Sequence, residues 1–428
     1  MALFVLYLVM KKTIPFLIFS VSLLLTLQAS AQTVVNCSLP RYDQEIFSSV
    51  DISSNIVYGS AVDANGVTQT LTLDVYQPSG DTASQRPLII WVHGGSFLSG
   101  TKNDVDVVAL STRFAKRGYV CASIKYRLGI PFPQNETNAT KAVYRAMQDM
   151  RAAVRFFRKD AASVNDYKID SDMIFGGGSS AGAFTALHLA YLDEVSEIPS
   201  VIDTVQMGNL EGSSGNPGYP SHISGVINLC GALGSKNYIK LGDAPLVSMH
   251  GPVDQTVPYG TDIIYLLGVF PLMQVDGSHT IHDHANTIGL QNSMYTYFGA
   301  GHVPYVSSSA YMDTTVKFVS NFLYGLMGCQ PSDPNPLPNT FITTGIDFLS
   351  NDNYASIYPN PADKEFRIES ESIVYKAEVY ALDGKLIHVE NFQGEKKVSI
   401  NSEKIASGNY MIRLHTEKGI LRIKAIKN

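Results

Sequence analysis

A run of glycines and serines between an apolar strand and a helix constrains this 428-residue chain more than any other feature. Met173–Phe175 is apolar and strand-like, Ala183–Tyr191 is helical in pattern, and the five residues from Gly178 to Gly182 fit G-x-S-x-G. A serine on such a sharp turn is lifted clear of its neighbours, and the flanking glycines let the strand and the helix approach closely. The stretch therefore predicts a strand-turn-helix unit with Ser180 as a candidate nucleophile.

Two other interpretations of this turn fit the sequence less well. If Ser179 were the nucleophile, Ala181 would stand where the second glycine belongs. A dinucleotide-binding turn needs an acidic residue about twenty positions later, where Pro199 stands. With the second serine as nucleophile, the backbone N–H of Ala181 lies at the helix start, where it is suited to receive negative charge.

Strands and helices alternate around this turn. Residues 54–77 alternate apolar and polar side chains about a turn at residues 63–66, which predicts a hairpin, and Pro87–Val92 is the continuous apolar run of a strand buried on both faces. The other predicted elements are a helix from Asp104 to Gly118, a strand Tyr119–Tyr126, a helix Thr140–Ala161, the strands Ile223–Cys230, Ala244–Met249 and Ser293–Phe298, and a closing helix Thr314–Met327. Right-handed crossovers between such strands give an α/β fold, a mostly parallel sheet covered on both faces, with its site at the carboxyl ends of the strands.

Two segments between these elements look irregular. Residues 193–222 are rich in Gly, Ser, Pro and Asn and are too long for an ordinary connection, so we expect them to cap the cleft. Residues 259–290 form the second irregular stretch. It contains five acidic and imidazole side chains that invite a metal interpretation: Asp276, His279, His282, Asp283 and His284. No spacing among them matches a specific zinc pattern, so a solvated rim is favoured, and we expect neither a metal nor a cofactor.

Composition divides the chain into four parts. Residues 1–31 have a lysine pair, an apolar run and an Ala-Ser-Ala site, which is typical of an export signal, although a membrane anchor with a short span is an alternative. Residues 32–329 form the predicted catalytic domain, and the prolines within 330–353 indicate a linker. Residues 354–428 contain short predicted strands, among them 366–368 and 373–380, with turns at Asp383-Gly384 and Ser407-Gly408, which predict a small C-terminal β-sandwich.

Charge and cysteine content narrow the class of protein further. A net charge of −6 provides no basic surface, which argues against nucleic acid as a partner. Cys121 and Cys230 lie in apolar, strand-like runs and are predicted to be inert buried thiols. Cys37 and Cys329 lie near the two ends of one predicted domain, whose termini often meet at the surface, so we expect a disulfide between them in an exported chain.

Three further segments could supply what a nucleophilic serine needs. Asp254 and His302 each follow a predicted strand, so an imidazole held by a carboxylate can reach Ser180 at the same edge of the sheet. The turn His93-Gly94-Gly95 follows an earlier strand, and its glycines let two backbone N–H groups approach an oxyanion. We therefore expect Ser180, Asp254 and His302 to be catalytic and Gly94, Gly95 and Ala181 to form the oxyanion hole. His93 is expected to anchor the loop, and Trp91 and Phe97 are expected to pack rather than bind substrate.

With these motifs, residues from about 50 to 327 resemble the α/β-hydrolase superfamily, in particular carboxylesterases and lipases with an HGG oxyanion motif and secreted esterases of the feruloyl and acetyl-xylan kind. The resemblance rests on four segments: His93–Phe97, Gly178–Gly182, His250–Asp254 and Gly301-His302. It implies a serine hydrolase that cleaves carboxylic esters, either small molecules or polysaccharide-linked. Ser96 replaces a third glycine and Ser179 a frequent acidic residue, so subfamily and substrate stay open.

Residues from about 354 onward resemble the C-terminal sorting domain of type IX secretion cargo. The matching segments are Tyr358–Ala362, Val379–Lys385, Gly408–Tyr410 and the lysine-bearing end Lys424–Lys427. This resemblance implies recognition by the type IX secretion machinery and a secreted or cell-surface location. The alternative is a carbohydrate-binding or adhesive sandwich.

Two hypotheses from different classes follow. The first is a secreted serine esterase acting through an acyl-enzyme on Ser180, with a serine peptidase of the same fold as its nearer competitor. The second is a surface binding or adhesion protein whose hydrolase domain is inert, against which the complete set of catalytic residues argues.

Overall fold

The computed structural model of the protein describes residues 35–266, 270–332, 355–381, 386–416 and 419–428. The predicted export segment, most of the predicted linker and the turn at Asp383-Gly384 lie outside these residues. Within the described ranges, no helix has the length and apolar character that crossing a membrane requires.

An eight-stranded sheet forms the centre of the region before the predicted linker. Its strands and those of a smaller sheet are β1 (Val50–Val62), β2 (Thr68–Pro78), β3 (Arg86–Val92), β4 (Val120–Ile124), β5 (Ile169–Ser179), β6 (Gly225–Leu229), β7 (Ala232–Leu233), β8 (Leu246–His250), β9 (Thr261–Leu266), β10 (Phe270–Gly277) and β11 (Asn292–Thr296). The large sheet has the order β1-β2-β4-β3-β5-β6-β8-β11. β1 and β2 form the predicted hairpin, β2 pairs antiparallel with β4, and the pairs from β4 to β11 are parallel.

Helices cover both faces of this sheet. They are α1 (Val105–Ala115), α2 (Glu136–Ala161), α3 (Ala181–Tyr191), α4 (Thr204–Met207), α5 (Ser278–Ile288) and α6 (Ser309–Leu326). In β3, Leu88 and Ile90 join a core cluster with α2, α3 and α5, whereas Ile89 and Trp91 join a cluster with α1 and α6. Alternate strand residues therefore face different helical layers, which explains the continuous apolar run Pro87–Val92. The predicted α/β fold, an α/β-hydrolase arrangement, is confirmed.

The predicted cap segment lies elsewhere. In residues 193–222, Glu211 pairs with Arg151 and Arg155 of α2, and the Ser214 carbonyl accepts a hydrogen bond of 2.9 Å from Ser60 of β1. The expectation that this segment caps the cleft was wrong, because none of its residues lines the cavity beside Ser180. The buried Arg151 and Arg155 hold the segment along that helix instead.

The second segment expected to be irregular, residues 259–290, is largely regular. β9 and β10 form an antiparallel hairpin, β10 also pairs with β7, and α5 follows directly from β10. Ile264 of β9 and Met273 of β10 line the cavity beside Ser180, so this hairpin contributes the cover that was expected from residues 193–222.

A disulfide joins the two ends of the region. The sulfurs of Cys37 and Cys329 are bonded across a separation of 292 residues. The N-terminal segment also packs through Tyr42, whose ring lies 5.1 Å from that of Tyr119 and whose backbone N–H donates to Arg117. The beginning and the end of this region are therefore attached to the same side of the sheet.

The C-terminal residues form a separate antiparallel sheet with its own apolar cluster. Its strands are β12 (Ala355–Tyr358), β13 (Glu365–Ala381), β14 (Leu386–Asn401), β15 (Gly408–Thr416) and β16 (Gly419–Lys427). Two strands predicted at 366–368 and 373–380 are one strand, β13, with a register shift between Glu369 and Val374. A β-bulge thus stands where the sequence pattern indicated a break.

Candidate active site

Ser180 lies at the junction of β5 and α3 in a strained backbone conformation. Its φ is 54° and its ψ is −120°, a left-handed combination that non-glycine residues rarely adopt. A Cβ on Gly178 would lie 2.2 Å from the carbonyl carbon of Gly182, and a Cβ on Gly182 would lie 1.9 Å from the Val92 oxygen. Both glycines are therefore required for the turn to close against the neighbouring strand.

Three side chains from distant segments meet above this turn. The Oγ of Ser180 lies 2.8 Å from Nε2 of His302, and Nδ1 of His302 lies 2.6 Å from Oδ2 of Asp254. Ser180 follows β5, Asp254 follows β8 and His302 follows β11, at the carboxyl edge of the parallel strands. The imidazole can therefore accept the serine proton while its other nitrogen donates to the carboxylate.

Asp254 is buried and its oxygens are fully engaged. Oδ1 accepts the backbone N–H groups of Thr256 at 2.8 Å and Val257 at 2.9 Å, and Oδ2 accepts from His302 and from Nε2 of His250 at 3.0 Å. Burial alone would raise the pKa of this carboxyl, but the hydrogen bonds from His250 and His302 lower it below its ordinary value. The group therefore carries its negative charge beside the imidazole at neutral pH.

The residues predicted to form the oxyanion hole lie against Ser180. Gly95 and Ala181 line the same cavity as Ser180. As the first residue of α3, Ala181 has a backbone N–H without an acceptor inside the helix. A Cβ on Gly94 would lie 3.3 Å from the Cβ of Ser180, so the absence of a side chain lets this turn approach the serine. That these N–H groups stabilise an oxyanion stays a prediction.

The aromatic residues around the His93-Gly94-Gly95 turn have distinct positions. His93 is fully buried, its Nδ1–H donates to the Gly94 carbonyl at 2.8 Å, and its ring stacks on Tyr126 at 4.5 Å. Burial lowers its pKa, so it is a neutral ring within the loop rather than an exposed base. Trp91 packs against Phe114 in the core. Phe97, by contrast, lines the cavity beside Ser180.

Two site residues received no role from the sequence alone. Tyr305, three positions after His302, places its hydroxyl 2.7 Å from Oγ of Ser179. This contact turns Ser179 into the core and away from the cavity. His250, four positions before Asp254, is the second imidazole on the carboxylate. Its place directly after an apolar strand and four residues before an acidic residue was the available signal.

A cavity of about 590 Å³ opens beside Ser180. It is bounded by the turn after β3, the first half of α2, the start of α3, the loop after Asp254 and the β9–β10 hairpin. Its apolar lining includes Phe97, Ile130, Val143, Phe184, Val257, Ile264, Leu272 and Met273. Among the described residues, none of the side chains that line it is charged.

The acidic and imidazole residues at 276–284 do not converge. Asp276 accepts the backbone N–H of Lys236 at 2.7 Å, His284 contacts the Ile239 carbonyl at 3.1 Å, and His279 pairs with Asp283 at 3.2 Å. The ligand atoms that do lie within 4.8 Å of one another, in the part of the chain that is described, belong to Cys230, Asp254 and His302. Burial raises the pKa of the Cys230 thiol to about 12, so it is protonated at neutral pH.

Two family models match parts of the chain. Residues 73–233 match the BD-FAE family, and residues 356–428 match the secretion system C-terminal sorting domain. The first match includes the turn at Gly94-Gly95 and Ser180 but ends before Asp254 and His302, so the geometry alone links the latter two residues to the serine.

Curated relatives match over a shorter stretch. Gut esterase 1 of Caenorhabditis elegans is 27% identical over 119 residues, which are 28% of this chain and 20% of the relative. Carboxylesterase 3B of Mus musculus is 33% identical over 113 residues, which are 26% of this chain and 19% of the relative. The chain therefore spans about a fifth of the length of the curated relatives it matches.

Solved structures include two similar esterases. Thermogutta terrifontis esterase 2 phosphorylated by paraoxon has a TM-score of 0.45 at 20% identity and covers 65% of this chain and 95% of its own. A truncated form of a carbohydrate esterase from gut microbiota has a TM-score of 0.47 at 18% identity and covers 67% of this chain and 99% of its own. Two family models therefore match the chain in order, BD-FAE before the predicted linker and the secretion system C-terminal sorting domain after it.

Proposed function

We propose that this protein is a secreted serine esterase that hydrolyses carboxylic esters through an acyl-enzyme on Ser180. One observation carries the proposal: a buried carboxylate, an imidazole and a strained serine are joined by contacts of 2.6 and 2.8 Å at the edge of a cavity. Serine is unreactive at neutral pH until a base takes its proton, and this geometry supplies both the base and the group that orients it.

The reaction follows from these contacts. Nε2 of His302 takes the proton of Ser180, Oγ attacks the ester carbonyl carbon, and the negative oxygen that forms is held by the N–H groups of Gly94, Gly95 and Ala181. The imidazolium, stabilised by Asp254, then gives its proton to the departing alcohol. A water molecule deprotonated by His302 attacks the acyl-enzyme, and the acid leaves as Ser180 regains its proton.

The cavity supports a preference for apolar, uncharged esters. Its described lining combines aromatic and aliphatic side chains from α2, α3 and the β9–β10 hairpin, and polar groups such as Thr256 lie in the loop that follows Asp254. Its volume of about 590 Å³ exceeds what an acetyl group fills. No acidic side chain in the described lining could pair with a peptide amino terminus, which disfavours the peptidase alternative.

Residues 356–428 indicate that the protein is secreted or attached to the cell surface. We propose that the type IX secretion machinery is the partner of this domain and that the ester substrate is met outside the cell. The substrate can then be a free ester or an acyl group on a polysaccharide.

Turnover of p-nitrophenyl esters of increasing acyl length tests the proposal. Each buried methylene contributes about 0.8 kcal/mol, so we expect kcat/KM to rise at least about tenfold from acetate to hexanoate. Replacing Ala139, which lines the cavity from α2, by Phe should reduce turnover of hexanoate and leave acetate nearly unchanged. Val205, which is 94% exposed, gives the matched control Val205→Phe.

The two adjacent serines provide a matched pair for the nucleophile. Ser180→Ala should lower kcat by about a millionfold, whereas Ser179→Ala should lower it by no more than about tenfold. A folded wild-type protein that turns over no ester, or a Ser180→Ala variant that loses less than about tenfold, would contradict the proposal.

A further inference from the structure

A line of buried polar side chains continues from Asp254 into the core. Nε2 of His250 contacts Oδ2 of Asp254 at 3.0 Å, Nδ1 of His250 contacts Oγ of Ser278 at 2.7 Å, and Nδ2 of Asn228 contacts the same Oγ at 2.9 Å. His250, Ser278 and Asn228 are each 0% exposed. They come from the ends of β8, α5 and β6, and nothing in the proposed reaction uses them directly.

The partners of each atom assign the protons along this line. Nε2 of His250 faces two acceptors, the Asp254 carboxylate and the Val257 carbonyl at 3.2 Å, so it carries a hydrogen. In the neutral ring Nδ1 is then an acceptor, and Ser278 donates to it. The Ser278 hydroxyl has a second possible acceptor, the Gly231 carbonyl, but that contact is longer at 3.2 Å.

Asn228 determines which group donates in each of these hydrogen bonds. Its Oδ1 accepts the backbone N–H of Gly231 at 2.9 Å, which identifies the other end of the amide as the donor. Its Nδ2 then donates to Ser278 and, at 3.0 Å, to Ser248. Asn228 therefore donates to Ser278, and Ser278 donates to Nδ1 of His250. The opposite nitrogen of His250, Nε2, donates to Asp254.

We propose that His250 is a positioning residue for Asp254, a buried imidazole whose Nε2–H donates to the carboxylate and keeps it directed at Nδ1 of His302. The role rests on the proposed function, in which Asp254 orients His302 for ester hydrolysis. Without this donor, Oδ2 of Asp254 keeps only His302 as a hydrogen-bond partner, although the Asp254 side chain is 0% exposed. A buried carboxylate that loses a donor either rotates toward another or gains a proton, and both changes misdirect His302.

A purely structural role for His250 predicts a different outcome. If the ring only fills space between β8 and α5, its loss lowers the free energy of unfolding and leaves the kcat of the folded fraction unchanged. A positioning role lowers kcat with KM unchanged, because His250 does not line the cavity where substrate binds. A glutamine at this position can place its own N–H near Asp254, whereas a leucine of similar size cannot.

The test compares the full-length wild-type protein with His250→Leu and His250→Gln, using p-nitrophenyl butyrate. We expect kcat to fall about 10- to 100-fold in His250→Leu with KM within twofold of wild type, and to recover to within a few-fold in His250→Gln. Fluorescence of Trp91, the single tryptophan, checks that each variant is folded. A folded His250→Leu variant with wild-type kcat, or a glutamine variant as impaired as the leucine variant, overturns the proposal.

A second measurement needs no variant to fold. Nitrogen-15 spectra of the wild-type histidines should show His250 with a hydrogen on Nε2 and none on Nδ1. The opposite tautomer overturns the proposal, because Asp254 would then face a lone pair. An inactive wild-type protein would overturn the esterase function, while the tautomer would still decide whether His250 donates to Asp254.

Discussion

Reduction of the Cys37–Cys329 bond should strongly destabilise the region that it closes. The bond closes a loop of 292 residues, for which the chain-entropy relation gives an upper limit of about 5–6 kcal/mol at 25 °C. Residual structure in the unfolded chain reduces such values, so we expect a measured loss of about 2–4 kcal/mol. For a region of this size that corresponds to a fall in unfolding temperature of about 3–6 °C.

Trp91 provides a selective probe for this measurement. It is the single tryptophan, it is fully buried in β3, and the C-terminal sheet contains none. Its fluorescence during thermal unfolding therefore reports on the region that the disulfide closes. The other two cysteines are free and buried, so a reductant acts on one bond. An unfolding temperature that is the same with and without reductant, after mass spectrometry confirms cleavage of the bond, would contradict this reasoning.

Two further predictions concern the turn at Ser180 and the acid stability of the fold. Gly178→Ala would place a Cβ 2.2 Å from the Gly182 carbonyl carbon, so we expect a loss of at least about 3 kcal/mol in the free energy of unfolding or no soluble protein. Urea unfolding measures this loss. A variant as stable as the wild-type protein would show that the turn has room for a side chain. Burial acts to raise the pKa of Asp81, but hydrogen bonds from Arg41 and Arg86 lower it below its ordinary value. The contribution of Asp81 to stability is therefore present above about pH 4 and lost as the pH falls. The difference in unfolding midpoint between the wild-type protein and Asp81→Asn should shrink from about pH 5 to about pH 2. A difference that stays constant would argue against the pairing of Asp81 with the two arginines.

The sequence was most informative where backbone geometry restricts residue choice. Gly178 and Gly182 cannot carry a Cβ in this turn, so the pattern around Ser180 predicted the strand, the turn and the helix together. The order of Ser180, Asp254 and His302 along the chain was also readable, because each follows a strand of the same parallel sheet. Their separation in space, however, depends on the register of β5, β8 and β11, which only the structure provides.

The cover of the cavity was not predictable from composition. Residues 193–222 looked like a cap because they are polar and rich in glycine, yet their position is determined by the buried Arg151 and Arg155 on α2. The β9–β10 hairpin was missed because its strands carry polar residues such as Asp262 and Gln274, which interrupt the apolar alternation. Its pairing partner β7 has only two residues and gives no pattern of its own.

The role of His250 depends on contacts that no spacing rule contains. A histidine after a buried strand is compatible with a packed core residue, a ligand or a base. Its assignment required the distances to Asp254 and Ser278 and the orientation of the Asn228 amide. The contact of Tyr305 with Ser179 likewise joins residues 126 positions apart in the chain.

Covalent labelling tests the central claim most directly. A fluorophosphonate reacts with a serine hydroxyl only where a neighbouring base has activated it. Peptide mass spectrometry after labelling of the folded wild-type protein should find one adduct, on Ser180, and the His302→Ala variant should be labelled far more slowly. An unlabelled wild-type protein, or an adduct on Ser179 with Ser180 unmodified, would contradict the account.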